Sequence, residues 1–89
     1  MFNTMEFTIV DREYTVDVVE VRNVVISAIE NALGVDRIKT VSLVLKDGFF
    51  RPGRTIGIQV IFDKPIKSIW NGVLNSEVNR ALRNYWGLS

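Results

Sequence analysis

Apolar residues recur with two different periods along this 89-residue chain, and the change between periods constrains its fold more than any other feature. In some segments every second residue is apolar, which is typical of a strand with one buried face. In two longer segments apolar residues recur every three to four positions, as in an amphipathic helix. With 47% hydrophobic residues and no cysteine, the chain must fold around a core without disulfides. Its length predicts a single domain over residues 1–89.

The first segment with a strand period covers residues 4–10, where Met5, Phe7 and Ile9 alternate with polar side chains. A turn is expected at residues 11–12, and residues 13–16 resume an extended pattern. Two extended segments separated by a short turn predict a β-hairpin at the start of the chain.

The first helical segment has clear start and stop signals. Asp17 is a good N-cap, and Glu20 three residues later completes a capping box. The apolar stripe that follows has helical spacing, and Gly34 is suited to end the helix in a left-handed conformation. These signals predict a helix between Asp17 and Gly34.

The rest of the chain reads as two strands and a second helix. Residues 37–46 and 54–63 have strand patterns and are predicted to be antiparallel neighbours joined by residues 47–53. An apolar stripe through five turns then predicts a long helix, with Asp63 as its cap and Pro65 in its first turn. A kink or break is expected near Asn75.

These elements give the order ββαββα and the α+β class. Hairpins pair locally, and amphipathic helices must bury their apolar stripes. The expected architecture is a four-stranded, mainly antiparallel sheet with two helices packed on one face. The other face of the sheet is expected to stay partly open.

Charges divide the chain into two halves of opposite sign. Residues 1–36 carry two basic and seven acidic side chains, a net charge of −5, whereas residues 37–89 carry nine basic and three acidic ones, a net charge of +6. A basic surface with an aromatic side chain is typical of proteins that contact nucleic-acid phosphates and stack on bases. The second half therefore predicts a nucleic-acid-binding surface.

The loop between the two later strands is the expected centre of that surface. Phe49 shares strand parity with the apolar positions and is predicted to cap the core, which would leave Phe50 exposed for stacking. The predicted nucleic-acid-binding residues are Lys46, Phe50, Arg51, Arg54, Lys64, Lys67, Arg80 and Arg83.

A protein-interaction or assembly role, such as a small inhibitor or adaptor, is the alternative hypothesis. Val44 and Ile61 are apolar at positions predicted to face away from the core, and Ile26 and Val19 lie on the flank of the first helix. Apolar side chains on an open face mark interfaces when they cluster. This hypothesis predicts a protein partner at the open sheet face. Under either hypothesis, the outward apolar positions and the opposite charges of the two halves also predict self-association, most simply as a homodimer.

Several function classes lack the residues they need. The chain has no histidine and no cysteine, so imidazole and thiolate metal sites and their nucleophile–base pairs are excluded. No dinucleotide or phosphate-loop motif is present, and a non-enzymatic protein without metal or cofactor is expected. No apolar run approaches the roughly 20 residues of a membrane span, and no secretory signal is visible, so a cytoplasmic location is expected.

Overall fold

The computed structural model describes residues 1–34, 37–50 and 52–85. These residues form an α+β domain with the element order βαββα. The elements are β1 (Phe2–Asp11), α1 (Val18–Leu33), β2 (Ile38–Asp47), β3 (Arg54–Ile66) and α2 (Trp70–Tyr85).

The strands of the described residues form one three-stranded sheet with the order β1-β3-β2. Both pairings are antiparallel, so β3 is central and the two edge strands run parallel to each other. Phe7 and Leu43 lie on either side of Ile58, and this row fixes the register of all three strands. The prediction of four strands in the order ββαββα is therefore wrong, whereas the α+β class and the β2–β3 hairpin are correct.

The missing strand is the segment that was expected to extend over residues 13–16. Here a buried carboxylate replaces strand pairing: Asp11 accepts hydrogen bonds from the backbone N–H groups of Thr15 and Val16. Tyr14 has a positive φ of 55°, which an extended strand does not allow. The chain therefore turns directly into α1, and β1 pairs with β3, more than 40 residues later in sequence.

The first helix has the predicted ends. Asp17 accepts hydrogen bonds from Val19 N–H and Glu20 N–H, as an N-cap does. Gly34 ends the helix with φ 79°, and its N–H donates to Glu30 O. The Glu20 carboxylate departs from the capping-box role, because it accepts a hydrogen bond of 2.6 Å from the Tyr85 hydroxyl on α2.

The region before the second helix differs from the prediction. Residues 63–66 belong to β3, where Phe2 pairs with Ile66 and the register shifts. Pro65 lies in this irregular stretch. Proline has no backbone N–H, and it is tolerated here because the regular hydrogen-bond ladder is interrupted. Asp63 therefore does not cap α2, which begins at Trp70 and runs to Tyr85 without a break near Asn75.

The core lies between one face of the sheet and both helices. Alternate residues of β1 and β3 are buried on this face together with one stripe from each helix, as the period of each element requires. The fully buried side chains include Val25 and Ile29 of α1, Ile58 of β3 and Leu74 of α2. Among the described residues, no helix is long and apolar enough to cross a membrane.

Candidate interaction surface

The tip of the β2–β3 hairpin, of which residues 48–50 and 52–53 are described, exposes two aromatic rings. Phe49 is 89% exposed and Phe50 is 91% exposed. The two rings contact each other edge to face, with centroids 4.6 Å apart. The prediction that Phe49 caps the core is wrong, because Phe49 is almost fully exposed and does not pack against the core cluster.

Arg54, predicted to contact phosphate, is instead held inside the protein. Its Nε donates to Asp11 Oδ2 over 3.1 Å, and its Nη2 donates to Val16 O over 2.7 Å. Its side chain is only 17% exposed. These bonds join β3 to the turn after β1, so the guanidinium has a structural role.

The Asp11 carboxylate is the buried centre of this corner. Burial would raise the pKa of Asp11, but the hydrogen bonds from Val16 N–H, Arg54 and Thr15 N–H together outweigh that effect. The pKa of Asp11 is consequently lowered, and the carboxylate stays ionised beside the guanidinium. This arrangement fixes the turn between β1 and α1.

Tyr14 and Gly53 attach the same turn to the base of the hairpin tip. The Tyr14 hydroxyl donates to Gly53 O over 2.9 Å, and the Arg54 guanidinium lies 5.7 Å from the centre of the Tyr14 ring. Gly53 is buried with φ 118°, and a Cβ added there would lie 2.7 Å from Arg12 Cα. Only glycine fits this close approach of two backbone segments.

Two of the other predicted phosphate contacts lie at opposite ends of the sheet. Lys46 pairs with Thr55 near the hairpin tip. Lys64 lies nine residues further along β3, which corresponds to roughly 30 Å at strand geometry. Lys67 follows the end of β3, so it is also remote from the tip. Arg51 lies outside the described residues.

The basic residues of α2 lie on the helix side of the sheet. Arg80 forms an ion pair of 2.6 Å with Glu77 on the same helix, and Arg83 is exposed in the last turn. Lys46 has the strand parity of the opposite, open face of the sheet. The structure therefore does not bring the predicted cations together on one surface.

The four predicted interface residues are also separated. Val44 and Ile61 share the open face, but Val44 pairs with Gly57, four residues from Ile61 along β3. Val19 and Ile26 lie on α1, on the other side of the sheet. Of the four, Val44 is the one that adjoins the exposed hairpin tip.

A shallow groove of about 350 Å³ crosses the open face where Gly57 has no side chain. Thr8 and Val44 flank the glycine on the neighbouring strands. Glu6 and Lys46 also line the groove and place opposite charges around it. Sequence reasoning missed this groove because the strand register creates it, although a lone glycine inside a strand pattern was an available signal.

Four exposed apolar side chains lie at the end of β2 and at the hairpin tip, and we define them as the edge patch: Val44, Leu45, Phe49 and Phe50. Val44 and Leu45 point to opposite faces of β2, yet they are 54% and 50% exposed. Leu45 and Phe49 were not predicted as contact residues, because their parity matched that of the core. The signal that could have identified Leu45 is the run of apolar side chains on both faces of residues 43–45.

Comparison with known proteins gives no second source of information about this surface. Neither protein-family models, nor curated proteins, nor solved structures match this chain. Any function must therefore be inferred from the edge patch, the groove and the placement of charges.

Proposed function

We propose that this domain is a protein-interaction module that binds another polypeptide through the edge patch. The observation that carries the proposal is the exposure of apolar side chains on both faces of an edge strand and at the adjoining tip. A single exposed apolar residue needs no explanation, but a contiguous group marks an interaction site.

The backbone of β2 supports the same function. β2 is an edge strand, and edge strands bind added strands through main-chain hydrogen bonds while side-chain pockets give specificity. Val44 and Leu45 would contact such a partner on both faces of the extended sheet. Phe49 and Phe50 would supply aromatic contacts, which dominate the energy of many interfaces.

Single-stranded nucleic-acid binding is a second candidate, and the paired rings of Phe49 and Phe50 favour it. Each base stacked on an aromatic ring contributes about 1–3 kcal/mol. Affinity for nucleic acid also depends on clustered cations. Lys46 is near the tip, but Arg54 is bonded internally, which leaves the protein-interaction function better supported.

Site-specific photo-crosslinking in the cell tests the proposal. The photoreactive analogue p-benzoylphenylalanine would replace Phe50 in one variant and Ile69 in a control. Both positions are exposed and apolar, but Ile69 lies in the turn before α2. Mass spectrometry of the irradiated adducts identifies what each position touches.

The proposal expects discrete polypeptide adducts at position 50 that are absent at position 69. Each captured polypeptide, including a second copy of this chain, would then be purified and its binding compared between the wild type and the Leu45→Lys variant. Nucleic-acid adducts at position 50 without polypeptide adducts would favour the second candidate. Equal polypeptide labelling at both positions would refute the edge patch as a binding surface.

A further inference from the structure

In the part of the chain that the structure describes, the middle of the outer edge of β2 lacks the features that normally prevent strands from pairing with other chains. Edge strands are usually protected by charges, proline, bulges or shortness. β2 has ten residues, and its register is regular after the shift between Ile38 and Thr40. Residues 40–45 contain no charged residue, proline or glycine. The other edge strand, β1, carries Glu6 near its middle.

The helices cover β1 and β3 but leave β2 partly uncovered. In one row of the sheet, Ile9 of β1 and Ile56 of β3 are almost completely buried, whereas Leu45 of β2 is half exposed. Val41 and Leu43, on the same face as Leu45, are also only partly buried. An additional layer beside β2 would complete the burial of this row.

The hydrogen-bonding pattern between β2 and β3 determines which backbone groups of β2 face away from β3. Gly48 N–H donates to Gly53 O over 2.8 Å, in register with the rest of the hairpin. Antiparallel strands alternate between residues that bond their neighbour and residues that do not. Val41, Leu43 and Leu45 therefore turn their N–H and C=O groups to the free edge.

The geometry points to a second copy of this chain as the occupant of the β2 edge, an inference that rests on the proposed function. Two β2 strands pair antiparallel about a two-fold axis at Leu43, which places Leu43 opposite Leu43 of the second copy. Val41 then lies opposite Leu45, so each copy covers the uncovered apolar row of the other. Lys39, at the register shift, comes near Asp47 of the second copy, so opposite charges lie close to both ends of the regular pairing.

This pairing joins two three-stranded sheets into one continuous sheet with both helix layers on the same side. A two-fold interface uses the same surface twice, so every favourable contact occurs in duplicate. The uncharged stretch is centred near Leu43, so on the core face this register pairs apolar residues with apolar residues, whereas on the open face it places Val44 opposite Ser42. A shift by two residues would place Lys39 opposite an apolar position.

Disulfide trapping tests the pairing, because the native chain has no cysteine. Directly opposed residues in a hydrogen-bonded antiparallel pair have Cα atoms about 5.5 Å apart, within the range for a disulfide. Leu43→Cys should therefore oxidise to a covalent dimer. Lys46→Cys is the matched control, because the two copies of that position would be roughly 20 Å apart. We expect Leu43→Cys to cross-link at least about tenfold faster at equal protein concentration.

A proline variant checks the interface without cysteine chemistry. Leu45→Pro removes an N–H group that faces the free edge and no hydrogen bond to β3, so the monomer fold should persist by circular dichroism. Sedimentation velocity should show a concentration-dependent dimer for the wild type and a monomer for Leu45→Pro. Equal cross-linking at positions 43 and 46, or a wild type that is monomeric at every concentration, would overturn the inference.

The two proposals fail in different ways. If the wild type is monomeric and position 50 captures a different polypeptide, the second copy is the wrong occupant but the protein-interaction function stands. If position 50 captures no polypeptide in the cell, the proposed function itself fails.

Discussion

Replacing Gly53 with alanine is the most direct test of how the corner beside the hairpin tip is built. Gly53 has φ 118°, a conformation that side-chain-bearing residues rarely adopt. The added Cβ would also lie 2.7 Å from Arg12 Cα, so one of two backbone segments must move. That movement would weaken the hydrogen bond from the Tyr14 hydroxyl to Gly53 O.

The expected loss of stability follows from these contributions. Backbone strain costs about 1–3 kcal/mol, and the weakened hydrogen bond adds about 1 kcal/mol. The lower entropy of the unfolded alanine chain offsets about 0.4–1 kcal/mol. The net destabilisation is about 2 kcal/mol, which corresponds to a fall in Tm of about 8–16 °C for a domain of this size.

Gly34→Ala is the matched control, because Gly34 also has a positive φ but no atom within 4 Å of an added Cβ. Strain alone should cost about 1 kcal/mol there, which lowers Tm by about 4–8 °C. Thermal unfolding followed by circular dichroism measures both variants. If Gly53→Ala lowers Tm no more than Gly34→Ala, the close packing of Gly53 against Arg12 does not govern this corner.

Two further changes test the corner and the open face. Asp11→Asn should lower the free energy of unfolding at neutral pH. The pKa of Asp11 is lowered in the folded state, so the wild type loses stability as pH falls below the ordinary Asp pKa of about 3.9. The difference in unfolding free energy between wild type and Asp11→Asn should therefore shrink over that range. Urea unfolding at a series of pH values measures this difference. Asp63→Asn, at an exposed position of β3, is the control. A difference for Asp11→Asn that does not change with pH would contradict the prediction. Gly57→Ala should raise the free energy of unfolding by about 0.5–1 kcal/mol, because its Cβ would lie at ordinary contact distance, 3.7 Å, from Val44 O. The same urea assay at neutral pH tests it, and a destabilised variant would show that the open face has no room for a side chain.

The hairpin tip shows how far sequence reasoning could identify the candidate site. The loop between β2 and β3 was predicted to be a contact surface, and exposure of Phe50 agrees with that prediction. The prediction that Phe49 is buried was wrong because strand alternation indicates only which face of the sheet a residue lies on. It does not indicate how far the helices cover that face. Leu45 was missed for the same reason.

Arg54 shows the limit for charged residues. Its place in a basic segment predicted a phosphate contact, but its guanidinium reaches Asp11, a residue 43 positions earlier in the chain. Such a pairing has no local sequence pattern, because it depends on two strands meeting in register. A net charge computed over half the chain therefore could not predict which cations stay free.

The sequence by itself determined the local structure: the ends of α1 at Asp17 and Gly34, the buried faces of the strands and the hairpin of β2 with β3. These features depend on side-chain period and on capping groups a few residues apart. Only the tertiary structure decided that β1 pairs with β3, that three strands form the sheet of the described residues and that β2 lies at the edge of that sheet. Strand partners are chosen by hydrogen bonds and burial between distant segments, and the period of one segment carries no information about which other segment will cover it.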